Sequence, residues 1–97
     1  MLGDLQKELV RIRREVSAVM EAAKPALRMR DKMIMDTVWL GVIEMKLRAE
    51  QDPEKRKEWI NAFWARRNEI ERTVAGYRRQ LEGRALHPQQ EPRRALP

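Results

Sequence analysis

The feature that most constrains this chain lies at its start: Leu2, Leu5, Leu9, Ile12, Val16, Val19, Ala23 and Ala26 recur at alternating spacings of three and four. Such spacing is helical. It builds a heptad seam, with Leu2, Leu9, Val16 and Ala23 in one column and Leu5, Ile12, Val19 and Ala26 in the other. Lys7, Glu8, Arg11, Arg13, Arg14, Glu15 and Glu21 lie off it. A stripe this narrow favours one close helical neighbour over a broad core, so residues 1–24 are expected to form a coiled-coil-like arm. On this reading Leu5, Leu9, Ile12, Val16 and Val19 zip to a second copy or to a partner helix.

Pro25 lacks a backbone donor and clashes with the preceding turn, which ends or kinks the helix near Lys24. No Gly or Asn is present to make that stop clean. Asp31 has the chemistry of an N-cap for the next helix, leaving residues 25–30 as a bend or short linker. The second helix carries Met33, Ile34, Met35, Val38, Trp39, Leu40, Val42, Ile43, Met45 and Leu47. One partner cannot cover so wide an apolar circumference, so this helix is expected to be sandwiched, with neighbours drawn in part from another subunit or protein. Met29, Met33, Met35 and Met45 suit adaptable packing. Gly41 either admits a close approach or is merely tolerated, at up to about 1 kcal/mol relative to Ala.

Asp52-Pro53-Glu54 is a helix start, with Asp at the cap, Pro in the first turn and an acid at the positive end of the dipole. The third helix has its own seam, Ile60, Phe63, Arg67, Ile70, Val74, Tyr77 and Leu81, with Trp59 and Trp64 widening it. Gly83 is the expected stop. Residues 84–97, with three prolines and no periodicity, are expected to be a disordered basic tail. The fold class is therefore all-α: three helices, an N-terminal coiled-coil-like arm followed by an antiparallel helical hairpin over residues 31–83.

Composition narrows the function. Among 97 residues, 37% are charged and the net charge is +6. That excess is spread thinly, with +1 over residues 1–24, +1 over 25–51, +2 over 52–82 and +2 over 83–97. Arg11-Glu15, Arg48-Asp52, Arg67-Glu71 and Arg78-Glu82 stand four apart, where a helix makes neighbours of them. A nucleic-acid contact would fall to Lys55, Arg56, Lys57, Arg66, Arg78, Arg79, Arg93 and Arg94, some of which flank the aromatics Trp59, Phe63 and Trp64. The first expectation for these aromatics is core packing against the second helix near Trp39, Ile43 and Leu47; together with Trp39 and Arg67 they also have the composition of a protein-binding hot spot. Arg67, at a position where the seam wants an apolar residue, is able either to fix register through a facing acid or to reach water along its stem.

No cysteine and only one histidine, His87, are present, so neither a disulfide framework nor a metal site is expected. No phosphate loop, His-Glu-x-x-His or nucleophile elbow occurs. No enzyme activity, cofactor or small-molecule substrate is expected. The apolar run from Met33 to Leu47 is broken by Asp36, Glu44 and Lys46 and falls short of the roughly 20 residues that span a bilayer. A cytoplasmic, non-catalytic oligomerisation or adaptor protein is the expectation, of the size and make-up found among phage accessory proteins. The alternative is a basic helical nucleic-acid-binding protein using the third helix and the tail.

Overall fold

A computed structural model describes residues 2–86. They form three helices: α1 (Leu2–Ala23), α2 (Leu27–Ala49) and α3 (Pro53–Leu86). The all-α class holds. α1 does not stand apart as an arm, because it packs against both α2 and α3. Five residues of its seam are inside: Leu5, Leu9, Ile12, Val16 and Val19 are buried with Met33, Leu40, Ile43 and Leu47 of α2 and Phe63, Ile70 and Val74 of α3. The narrow stripe on α1 therefore fills the groove between two helices of its own chain. This is where the expectation of a partner for those five residues meets its physical answer, since none has surface left to offer.

The bundle runs up, down and up. Ion pairs ascend together along α1 and α3, from Glu8–Arg67 through Arg11–Glu71 to Glu15–Arg78, so these two helices are parallel. α2 descends beside them, with Asp36 paired to Arg66 and the Leu47 carbonyl bonded by Arg56.

The link between α1 and α2 is only Lys24-Pro25-Ala26, shorter than the expected 25–30. Lys24 ends α1 in the left-handed conformation, at φ 48°, while its N–H still reaches the Met20 carbonyl at 3.0 Å. A non-glycine residue in that conformation is strained by about 1–2 kcal/mol. Lys24→Gly is accordingly expected to stabilise the chain by about 0.5–1 kcal/mol after the extra entropy of glycine in the unfolded chain is offset, read as a higher urea midpoint by circular dichroism. α2 then begins at Leu27, and its N-cap is Ala26, with no side-chain cap bond. Asp31 lies inside the helix, because Pro25 already supplies the break and helical geometry resumes one turn earlier than the nearest acid.

The second connection follows the sequence closely. Asp52 Oδ1 accepts from the Glu54 N–H at 3.2 Å, and Pro53 opens α3. Arg56 turns back from the first turn of α3 and donates to the carbonyls of Leu47 and Glu50, both at 2.9 Å. It thereby satisfies acceptors that a helix C-terminus leaves open. α3 continues through Gly83 to Leu86; the flexibility of glycine permits a stop there but does not compel one. The rest of the expected tail, residues 87–97, lies outside the described residues.

Between α1 and α3 the charged side chains interlock. Arg11 donates to Glu8, to Glu15 at 2.7 Å and to Glu71 at 2.8 Å. Arg67 reaches Glu8 at 3.3 Å and Glu71 at 3.2 Å, and Arg78 reaches Glu15 at 3.1 Å. Two of the expected four-apart pairs form, Arg11–Glu15 and Arg67–Glu71. Arg48 turns instead to Glu44 at 2.5 Å, and Arg78 crosses to α1. Burial by itself would raise the Glu8 and Glu15 pKa values, but the hydrogen bonds and charge of Arg11, Arg67 and Arg78 outweigh it and hold both below the ordinary 4.5. Because both are depressed in the folded state, their stabilisation is complete above 4.5 and disappears as pH falls through the folded values. The urea midpoint is expected to hold from about pH 7 to about pH 5 and to drop from there to about pH 3, and a Glu8→Gln, Glu15→Gln double variant should flatten that dependence.

Candidate protein-docking surface

α2 carries large apolar residues both inside the bundle and on its surface. Its inward face holds Met33, Leu40, Ile43 and Leu47, but also the buried polar residues Asp36, Thr37 and Glu44. Burying charge in a bundle is costly unless it is paired, and each of these groups has a partner. Asp36 is held by Lys32 at 3.0 Å and Arg66 at 3.1 Å, Glu44 by Arg48, and the Thr37 hydroxyl donates to the Ile34 carbonyl at 2.7 Å.

The outward face is apolar. Leu27 is 73% exposed, Met45 67%, Met35 62%, Val38 and Trp39 49% each, and Ile34 41%. Ile34, Val38 and Met45 stand four and seven apart, a heptad-like spacing that places them on one exposed stripe of the helix. Exposed apolar side chains in this number on one helix are a mark of an interaction surface.

This stripe borders a groove between α1 and α2. Val10 of α1, 47% exposed, faces Val38, Val42 and Met45 across a cavity of about 1110 Å³. Gly41 lies in its floor. A Cβ there would stand 2.8 Å from the Arg13 guanidinium, so the absence of a side chain lets Arg13 lie across α2. It is a side chain, and not another backbone, that approaches this glycine. Lys7, Arg13 and Arg14 line the same groove, and none of them has an ion pair among the described residues.

No protein family matches the chain, and neither a similar curated protein nor a similar solved structure is found.

Of the residues expected to meet a partner protein, Trp39 and Trp64 are exposed, Trp64 at 38%. Phe63 is fully buried, Trp59 packs partly against the core, and the five seam residues of α1 lie inside it. The aromatic cluster thus divides, because adjacent helical residues point about 100° apart. Phe63 meets Trp64 edge to face at 5.6 Å, and Arg67 lies 5.8 Å from the Trp64 ring centroid. Arg67 faces Glu8 of α1 as well as Glu71, so its place in the seam faces a charged neighbour.

The expected phosphate contacts divide too. Arg56, Arg66 and Arg78 are taken up by Leu47 and Glu50, by Asp36, and by Glu15. Lys55, Lys57 and Arg79 are exposed and carry no ion pair among the described residues. Arg93 and Arg94 lie outside them. Among the described residues no group of three acidic, His or Cys side chains is placed to hold a metal, and no helix is long and apolar enough to cross a membrane.

Sequence reasoning singled out the breadth of apolar residues on α2 but not the members of this groove. Val10 was the available signal, an apolar residue on α1 standing off its heptad seam. Val38 and Met45 were not separable from Leu40 and Leu47 by hydrophobicity alone.

Proposed function

We propose that this chain is a non-catalytic helix-docking protein, an adaptor or assembly factor that presents the outer face of α2 to a helix of another molecule. The observation that carries the reading is that α2, after burying Met33, Leu40, Ile43 and Leu47, still leaves Leu27, Ile34, Met35, Val38, Trp39 and Met45 exposed. Hiding a fully exposed large apolar side chain is worth about 1.5–3 kcal/mol, so even half-exposed residues, taken together, can hold a partner. Heptad spacing suits that partner to be helical.

Sedimentation equilibrium at low and moderate salt, with and without a short generic DNA duplex, tests the reading. Self-association that ignores salt and DNA and is lost in Val38→Glu, Met45→Glu supports docking between copies. A monomer that ignores DNA and binds helical peptides on α2 supports a foreign partner. A monomer that binds DNA with a steep salt dependence, unchanged by the two substitutions, would overturn docking in favour of a nucleic-acid role for Lys55, Lys57 and Arg79.

A further inference from the structure

Resting on that docking reading, we infer that the α1–α2 groove takes an acidic amphipathic helix of a different protein, with Arg13 as the residue that receives its carboxylate. The groove has the composition for such an occupant. Val10, Val38, Val42 and Met45 supply apolar contact, and Lys7, Arg13 and Arg14 supply positive charge. The lining residues of α2 run from Val38 to Arg48, about 15 Å at 1.5 Å per residue. That length matches three turns of a partner helix whose apolar anchors recur at i, i+3 or i+4, and i+7.

Charge decides between occupants. The acids of the groove, Glu15 and Glu44, already have cation partners, Glu15 through Oε1 with Arg11 and Arg78 while its Oε2 is buried without a partner, and Glu44 with Arg48. Lys7, Arg13 and Arg14 have no acid partner among the described residues, so the groove offers unmatched cations beside its apolar floor. A second copy docking through the same groove would bring this positive patch to both sides of the interface, and like charges facing one another disfavour association. Residues 87–97 of the chain itself carry Arg93 and Arg94 against the single Glu91, again the wrong sign. A helix with acids flanking its apolar stripe meets both requirements. Arg13 is suited to anchor it, since its planar guanidinium can bind a carboxylate through two parallel hydrogen bonds, and Gly41 leaves the space in which it lies.

The test uses the full chain and a yeast-displayed library of amphipathic helices about four turns long, with a fixed apolar stripe and flanks randomised among Glu, Gln and Lys. Glu-flanked sequences are expected to be enriched. Their affinity should fall by about tenfold or more on Arg13→Glu or Val38→Glu and be unchanged on Lys57→Glu. Lys-flanked helices should in turn recover binding to Arg13→Glu. Both groove positions are exposed, so the helical circular dichroism of these variants should match the parent. Enrichment of Lys or Gln flanks, or binding indifferent to both groove substitutions, would overturn the inference. So would a parent dimer that Val38→Glu dissociates, which would give the groove to a second copy. Binders that depend on Met35 and Trp39 but not on the groove would overturn this inference and leave docking on α2 standing. A chain that stays monomeric and selects no helix would overturn both.

Discussion

Val16→Glu is expected to unfold the chain rather than release a partner. Val16 is 2% exposed in the shared core of all three helices. A glutamate there loses the packing of the valine and brings a carboxylate into apolar surroundings with no cation made for it, a combination of about 4 kcal/mol or more. Domains of this size have about 5–15 kcal/mol in total, so most of the helical signal at 25 °C should be lost or be lost at very low urea. Val10→Glu is the matched control. It lies on the same helix, but Val10 is 47% exposed, and substitutions of exposed positions usually stay within about 0.5 kcal/mol. If both variants melt like the parent, α1 is not held in the bundle and must be a detached arm after all.

Phe63→Ala is expected to destabilise by about 3–5 kcal/mol while leaving a folded, more readily denatured chain. Phe63 has no exposed surface and is among the largest fully buried side chains. Its removal takes away the transfer free energy of a ring and leaves a cavity where α3 meets the core, which the neighbouring helices can close only in part. Trp64→Ala, one residue on, should cost much less, since Trp64 is 38% exposed and meets Phe63 edge to face and the Arg67 guanidinium at the surface. Urea unfolding followed by circular dichroism at 222 nm compares the two. Equal losses would mean that the aromatic pair is buried as a unit and that the split between core and surface is drawn in the wrong place.

Much of the fold was legible in the order of residues. The α1 seam, the break at Pro25, the Asp52-Pro53 start and the three-helix count all come from local rules, namely spacing, missing donors and capping chemistry. Those rules act within one turn or two of helix and need no knowledge of neighbours. They failed where an end is set by context. Ala26 starts α2 without a capping side chain, and α3 runs through Gly83, because a packed helix tolerates a weak end that an isolated one would fray at.

The candidate site was legible only in outline. An excess of apolar residues on α2 could be seen, and from it the need for more than one neighbour, but not which of its faces the chain would keep for itself. Both faces have heptad spacing, one with Met33, Leu40 and Leu47, the other with Ile34, Val38 and Met45. The face with three polar residues went inside with Met33, Leu40, Ile43 and Leu47, and Arg66 from α3 meets Asp36 there, whereas the Lys32–Asp36 and Arg48–Glu44 pairs lie within α2 and would form on either face.

The sequence by itself determined that the chain is helical, where two of its breaks fall, and that α1 would bury one narrow stripe. Only the tertiary structure decided that this stripe is covered by the chain's own α2 and α3, and that the apolar surface left over belongs to α2. The physical reason is that periodicity specifies a face, whereas its occupant depends on which competing face finds partners for its polar groups, and that is a property of all three helices together.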